Sequence, residues 1–246
     1  MTLWILFPIS LSLMSFIGTW TVYGLALFNN HVCSLGDWGD GNYCGGNRST
    51  SCCLVPTISS SGSLAPENAL FTATINAGSF LFLLFCIFHH SHIMERHACQ
   101  SILSKVALVF GVVAAIGAFV AGNCNLRDLS LIHNLGAAVS FVCICVYTVL
   151  LTALTRKCVL TGHEKTLYPL RIISTMVQAI VTISYTVLFS HQEFFYIQLS
   201  AIFEWMLSIN LELFELSYAV EFYFFSSIML SNLLSKHDEV KPLVMS

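Results

Sequence analysis

Six long stretches of apolar residues, separated by more polar segments, set the pattern of this chain. They lie at about residues 3–28, 68–89, 103–122, 131–154, 170–190 and 197–232. Each is long enough to cross the hydrocarbon core of a bilayer as an α-helix, which takes about 20 residues. The pattern therefore predicts an all-α, polytopic membrane protein with six transmembrane helices, in which residues 1–246 form a single membrane domain.

Composition supports this fold class and argues against a soluble domain and against a nucleic-acid-binding protein. Hydrophobic residues make up 56% of the chain and charged residues 9%, whereas a soluble domain has about a quarter of its residues charged. The formal net charge of -3 offers no basic surface for a nucleic acid. We expect membrane lipids as partners, together with proteins that the sequence does not identify.

The distribution of basic residues predicts the orientation of the helices. Eight of the ten Lys and Arg residues fall in or next to the second loop, the fourth loop and the C-terminal tail, while Arg48 and Arg127 lie on the other side. Cytosolic segments carry the excess of Lys and Arg in multi-pass membrane proteins. Both termini are therefore predicted to be cytosolic, and the first loop, residues 29–67, to be luminal or extracellular.

The first loop has two features that agree with this side of the membrane. Asn47-Arg48-Ser49 is an N-glycosylation sequon, which is used only on the luminal side. Four cysteines are candidates for two disulfides in an oxidising compartment: Cys33, Cys44, Cys52 and Cys53. Their pairing cannot be deduced from the sequence, and a zinc site is the alternative, although the spacings match no standard zinc pattern.

The sixth apolar stretch carries the densest set of polar residues. At about 100° per residue, Glu204, Glu212 and Glu215 share one helical face, which must point into the bundle or toward a water-filled cavity. Two interpretations stay open: hydrogen bonds to neighbouring helices, with some carboxyls neutral, or a path for protons or cations. The polar side chains within the spans predict an intramembrane polar cluster of Asn76, Asn123, His133, Glu204, Glu212 and Glu215. Within it, Asn123, His133 and Glu204 are expected to meet because they share a depth near the luminal helix ends.

Signatures of catalysis or of cofactor binding are missing from the sequence. It contains no Gly-Xaa-Ser-Xaa-Gly elbow, phosphate-binding glycine loop or His-Glu-Xaa-Xaa-His pair. The run His89-His90-Ser91-His92 has ligand-compatible spacing, but it lies where a helix leaves the membrane, and interfacial histidines are common. We predict a protein that is not an enzyme, with no catalytic residue, metal or cofactor.

The end of the first loop carries a series of short motifs that continues along the chain. Within it, the positions that form the motif are Pro56, Ile58, Ser59, Gly62, Pro66, Glu67 and, in the sixth helix, Trp205. Asn76, Val120-Ala121-Gly122-Asn123 and His133 with Gly136 lie between them in order. This series resembles the family of damage-regulated autophagy modulators (DRAM) and transmembrane protein 150. Thr57, Cys124 and the Cys-rich insertion depart from the family pattern, which indicates a divergent member.

The resemblance implies a function. Its autophagy branch implies a non-enzymatic regulator of autophagy, and of apoptosis, in lysosomal or endosomal membranes. Its transmembrane protein 150 branch implies a scaffold for a phosphoinositide kinase complex at the plasma membrane; a Golgi location is a further alternative. Cation or proton conduction along the acidic face of the sixth helix is a third possibility, and it rests on the residues alone.

The motif also permits a physical interpretation. Pro56 and Pro66 bracket a segment that we predict to be extended across the luminal mouth of the bundle, since proline disfavours helix at the residue before it. Glu67 would then stand in the first turn of the second helix, where the helix dipole favours a carboxylate. Trp205 is predicted to anchor the sixth helix at the membrane interface.

Overall fold

The computed structural model describes residues 3–36, 55–96, 100–191 and 193–224. The regular structure of these residues is helical and begins with a short 3-10 turn at Leu3–Ile5. The eight α-helices of the described ranges are α1 (Leu6–Phe28), α2 (Ile58–Ser61), α3 (Glu67–Arg96), α4 (Ser101–Asn123), α5 (Ser130–Lys157), α6 (Glu164–Phe189), α7 (Phe194–Leu216) and α8 (Ala219–Tyr223).

Six of these helical stretches are long and apolar enough to cross a membrane, counting α7 and α8 together, which confirms the predicted fold class. Even the 23 residues of α4 extend over about 35 Å at 1.5 Å per residue, more than the roughly 30 Å of the hydrocarbon core. Along α4, Val109, Ile116 and Phe119 are all more than half exposed. These apolar side chains form the surface that lipid would cover.

The long helices form a closed ring. Around the ring α1 packs on α3, α3 on α4, α4 on α5, α5 on α6, α6 on α7, and α7 packs back on α1. We call the end of the ring that carries α2 the mouth, and the opposite end, which carries α8, the base. Two apolar clusters fill the interior, one around Trp205 near the mouth and a larger one around Phe85 and Tyr218 toward the base.

The α4–α5 pair is in close contact because both helices carry small residues where they cross. A Cβ atom added to Gly117 would lie 2.7 Å from the carbonyl oxygen of Gly136, and one added to Gly136 would lie 2.8 Å from that of Gly117. Small residues allow helix backbones in membranes to approach in this way. These two glycines therefore fix the distance between α4 and α5.

The sixth span differs from the uninterrupted helix expected at 197–232. Its helix ends at Leu216 and resumes at Ala219 as α8; residues 225–232 lie outside the described part of the chain. At the break, the carbonyl oxygen of Ser217 accepts a hydrogen bond of 3.0 Å from Nη2 of Arg171 in α6. A contact with another helix thus satisfies a carbonyl group at the interruption.

Candidate functional site

A cavity of about 170 Å³ lies within the ring of helices. Residues of α1, α3, α4, α5, α6 and α7 line its sides, and α2 lines its mouth. Its size resembles that of an engineered 150 Å³ apolar cavity that binds benzene. Apolar side chains form most of the wall, which also contains hydroxyl groups and three carboxyl groups.

The carboxyl groups belong to the three acids that share one face of α7. Glu204, Glu212 and Glu215 all line the cavity, and each is at most 5% exposed. Glu212 accepts a hydrogen bond of 3.1 Å at Oε1 from Oγ of Ser208, while its Oε2 is buried without a hydrogen-bond partner. Burial of a carboxyl oxygen without a donor is unfavourable, so the polar wall of this cavity is incompletely satisfied.

The family-like motif forms a cover over the mouth of the cavity. We expected an extended segment, and this was wrong: residues 58–61 form the helical turn α2. The hydroxyl of Thr57 caps the turn by accepting a 2.8 Å hydrogen bond from the backbone N–H of Ser60, the ordinary action of an N-cap residue. Ile58 and Ser59 contribute to the cavity wall from above.

Two residues of α7 hold this cover in place. Oε1 of Glu204 accepts hydrogen bonds from the backbone N–H of Ser59, at 3.3 Å, and from its hydroxyl, at 3.4 Å. The indole Nε1 of Trp205 donates to the carbonyl oxygen of Pro56 at 3.0 Å. Trp205 is 5% exposed, with its ring centroid 4.8 Å from that of Trp20. It is therefore an interior residue and not the interfacial anchor that we expected.

The remaining motif residues connect the cover to α3. Gly62 packs so closely on Phe71 that a Cβ atom would overlap the ring. Pro66, which follows a cis peptide bond, leads directly into α3. Glu67 is fully buried and accepts hydrogen bonds from Nδ2 of Asn29 at 2.5 Å and from Nδ1 of His31 at 3.0 Å. The start of α3 is thereby joined to the end of α1.

The expected cluster of six polar residues is divided among separate contacts. Asn76 and Asn123 exchange two hydrogen bonds, of 2.7 and 3.1 Å, between α3 and α4. His133 points Nδ1 at the carbonyl oxygens of Ala121 and Cys124, each 2.8 Å away. Neither contact involves the acids of α7. Similar depth in the membrane does not place residues side by side, because they can lie at different positions around the ring.

Comparison with known proteins identifies the family of the chain. Residues 3–225 match the family described as Frag1/DRAM/Sfk1/Cwh43P N-terminal domain. The chain belongs to the Frag1/DRAM/Sfk1 family. It is 33% identical to Transmembrane protein 150A of Xenopus laevis over 231 residues, which cover 90% of this chain and 84% of the relative. Transmembrane protein 150A of Homo sapiens is 32% identical over 230 residues, with the same coverage of both chains.

A second group of relatives has a functional name. Modulator of macroautophagy TMEM150B-A of Xenopus laevis is 27% identical over 221 residues, covering 89% of this chain and 86% of the relative. No solved structure matches the chain. Membership of the Frag1/DRAM/Sfk1 family thus rests on sequence along nearly the whole described ring, from the 3-10 turn to α8.

Some predicted sites of this family member fall outside the described residues. They are Asn47, the glycosylation candidate, and three of the four disulfide candidates, Cys44, Cys52 and Cys53. Cys33 lies in the described segment that follows α1. Glycosylation and disulfide pairing remain predictions.

A buried ionic network at the base is the main feature that sequence reasoning missed. Arg171, one of the eight basic residues counted on the predicted cytosolic side, is 0% exposed. Its Nη1 donates to Oε1 of Glu221 at 2.6 Å and to the hydroxyl of Thr155 at 2.7 Å, and its guanidinium carbon lies 3.5 Å from the ring centroid of Tyr218. Nε2 of His89 lies 3.5 Å from Oε2 of Glu221.

This network changes the interpretation of two sequence features. Glu221, near the end of the sixth span, is 2% exposed and paired with Arg171. In the histidine run, His89 faces Glu221 and His90 contacts the hydroxyl of Ser104 at 2.8 Å. The only signal in the sequence was the presence of an Arg and a Glu within apolar stretches, where charged residues usually pair.

Proposed function

We propose that this protein is a non-enzymatic, multi-pass regulator of autophagy that acts in lysosomal or endosomal membranes. The observation that carries the proposal is the similarity to Modulator of macroautophagy TMEM150B-A, which extends over 89% of the chain. Because the family match at residues 3–225 comprises the six described spans and the cover of the cavity, the shared role would reside in the helical ring.

The contacts of the polar side chains support a non-enzymatic role. His133 of α5 contacts two backbone carbonyl oxygens at the end of α4. The Asn76–Asn123 pair joins α3 to α4. His89 and Arg171 are both engaged with Glu221. Residues of types that often act in catalysis therefore serve here to hold the helices together.

Orientation belongs to the same proposal. The positive-inside rule would place the mouth, with its cover α2, in the lumen and the base with its ionic network near the cytosol. A luminal first loop would then carry the predicted glycan on Asn47 and any disulfides among its cysteines. Partners on the cytosolic side would meet short loops and the tail.

A plasma-membrane scaffold for a phosphoinositide kinase complex is the second candidate. It is favoured by the higher identity of this chain to Transmembrane protein 150A, at 33% and 32%, than to the macroautophagy modulator, at 27%. The resemblance to the transmembrane protein 150 group is what implies such a scaffold. Conduction is less well supported, because α2 covers the mouth of the cavity.

Localisation of the tagged full-length protein separates these candidates. We expect co-localisation with lysosomal and endosomal markers in living cells, with the tag on the cytosolic C-terminus. Concentration at the plasma membrane, with recruitment of a phosphoinositide kinase that depends on this protein, would instead establish the scaffold. A tag on each terminus in turn controls for mislocalisation caused by the fusion.

A further inference from the structure

The charge balance of the central cavity is one-sided. Three carboxyl groups line it, and no Lys, Arg or His is among the described residues of its wall. The nearest basic group on α6, Arg171, is already paired with Glu221 at the base. An ionised carboxylate within a membrane requires a partner of opposite charge, and the wall itself does not provide one.

Glu212 gives an independent sign that a ligand belongs in this space. It is 5% exposed and lines the cavity, yet its Oε2 has no hydrogen-bond partner while its Oε1 is held by Ser208. Buried polar atoms without partners are uncommon in folded proteins, and a functional role or a bound ion or ligand is one of their explanations. Glu212 thus offers an oriented acceptor whose second oxygen is unused.

The three acids do not form a compact cage for a metal ion. Glu204 and Glu215 are eleven residues apart on α7, or about 16 Å along the axis at 1.5 Å per residue. Divalent cations such as Ca²⁺ require six to eight oxygens at about 2.3–2.6 Å. Glu212 and Glu215, separated by less than one turn, can share one monovalent group, whereas Glu204 is occupied by α2.

The rest of the wall is suited to an apolar body. The wall that surrounds the two acids includes Leu11, Phe82, Ile144 and Leu211. The volume of the cavity, about 170 Å³, is similar to that of a cavity that accepts benzene. Aromatic and aliphatic walls with a few placed polar groups are typical of small-molecule sites.

From these observations we propose that the central cavity binds a small lipophilic amine. Its ammonium group would lie between the carboxyl groups of Glu212 and Glu215, near the hydroxyl of Ser208, and its apolar body would fill the space between the helices. The inference goes beyond the proposed role in autophagy and rests only on the geometry of the cavity, so either can fail without the other.

The test is isothermal titration calorimetry of benzylamine into the full-length protein in phosphatidylcholine nanodiscs. The heat of the same titration into empty nanodiscs is subtracted. Benzyl alcohol has the same shape without the charge and serves as the ligand control. We expect saturable binding of benzylamine, with a dissociation constant at least about tenfold lower than that of benzyl alcohol, the effect of roughly 1.4 kcal/mol. Equal affinity for the two compounds, or no saturable binding of benzylamine, would overturn the proposal.

Variants of the wall then locate the site. Glu212→Gln and Glu215→Gln should each weaken benzylamine binding by at least about tenfold and leave the binding of benzyl alcohol unchanged. Glu95→Gln removes a carboxylate from an exposed position of α3 and should have no effect. Wild-type affinity in both cavity variants contradicts the site. If one variant does not fold, the other carries the comparison, and the two ligands on the wild-type protein decide the charge dependence.

Discussion

Disruption of the Arg171–Glu221 pair should destabilise the protein strongly. The Arg171 side chain is fully buried and donates to Glu221, to Thr155 and twice to Ser217, at distances of 2.6 to 3.0 Å. In Glu221→Gln the guanidinium would keep its hydrogen bonds to hydroxyl and carbonyl groups but lose the carboxylate with which it forms an ion pair. Arg171→Met would leave Glu221 without its guanidinium partner and facing His89.

The expected magnitude follows from this burial. Removal of one partner of a buried ion pair costs about 3–5 kcal/mol, because the other charge remains in a low-dielectric environment. For a chain of this length each kcal/mol lowers the melting temperature by about 2–4 °C, so each single variant should melt roughly 6–20 °C lower. The double variant Arg171→Met/Glu221→Gln should be less destabilised than the sum of the two single changes, since both charges are removed together.

The measurement is thermal unfolding of the purified protein in nanodiscs, followed by tryptophan fluorescence. Lys157→Met, which removes an exposed basic residue at the end of α5, controls for loss of a positive charge at the base and should change the melting temperature little. Two results would refute the assignment of this pair as a buried, coupled contact. One is a melting temperature of the single variants equal to that of Lys157→Met, and the other is a double-mutant cycle that is strictly additive.

Three further predictions concern other parts of the ring and use the same unfolding assay. Trp205→Phe should cost about 1–3 kcal/mol, because a carbonyl of the cover loses its buried donor; unchanged stability would contradict the fastening of α2 by this residue. Gly136→Val should cost about 1–3 kcal/mol or more by forcing α4 and α5 apart, whereas Gly24→Val, with open space around its Cβ position, should have a small effect; similar losses in both would contradict the close approach. His133→Ala and Glu204→Gln should be additive within about 0.5 kcal/mol, since they have no shared partner; a larger coupling would restore the single polar cluster.

The fold was predictable because a membrane span has a strong local signal. Each helix requires about 20 consecutive apolar residues, and this holds whatever the helix packs against. The shared face of Glu204, Glu212 and Glu215 was likewise accessible, because the geometry of a single helix places them there. All three line the cavity.

Contacts between distant parts of the chain were not accessible in this way. Arg171 and Glu221 are 50 residues apart in the sequence. A hydropathy profile shows each as a charged residue near the end of a span and does not indicate that the two form a pair. No proline or glycine near Ser217 indicates the interruption of the sixth span. The carbonyl oxygen of Ser217 accepts a hydrogen bond from Arg171 of α6, a partner that the local sequence does not identify. The helical turn α2 was not predicted because the expectation of an extended segment rested on Pro56 and Pro66. A proline disfavours helix only at the residue before it, so the two prolines leave residues 58–61 free to form a helical turn.

Autophagic flux is the measurement that tests the central claim most directly. Cells depleted of the protein would be compared, with and without a lysosomal inhibitor, for turnover of a lipidated autophagosome marker during starvation. Our account predicts altered flux that full-length protein restores and that a variant confined to the plasma membrane does not. Unaltered flux in cells shown to lack the protein would contradict the claim that it regulates autophagy.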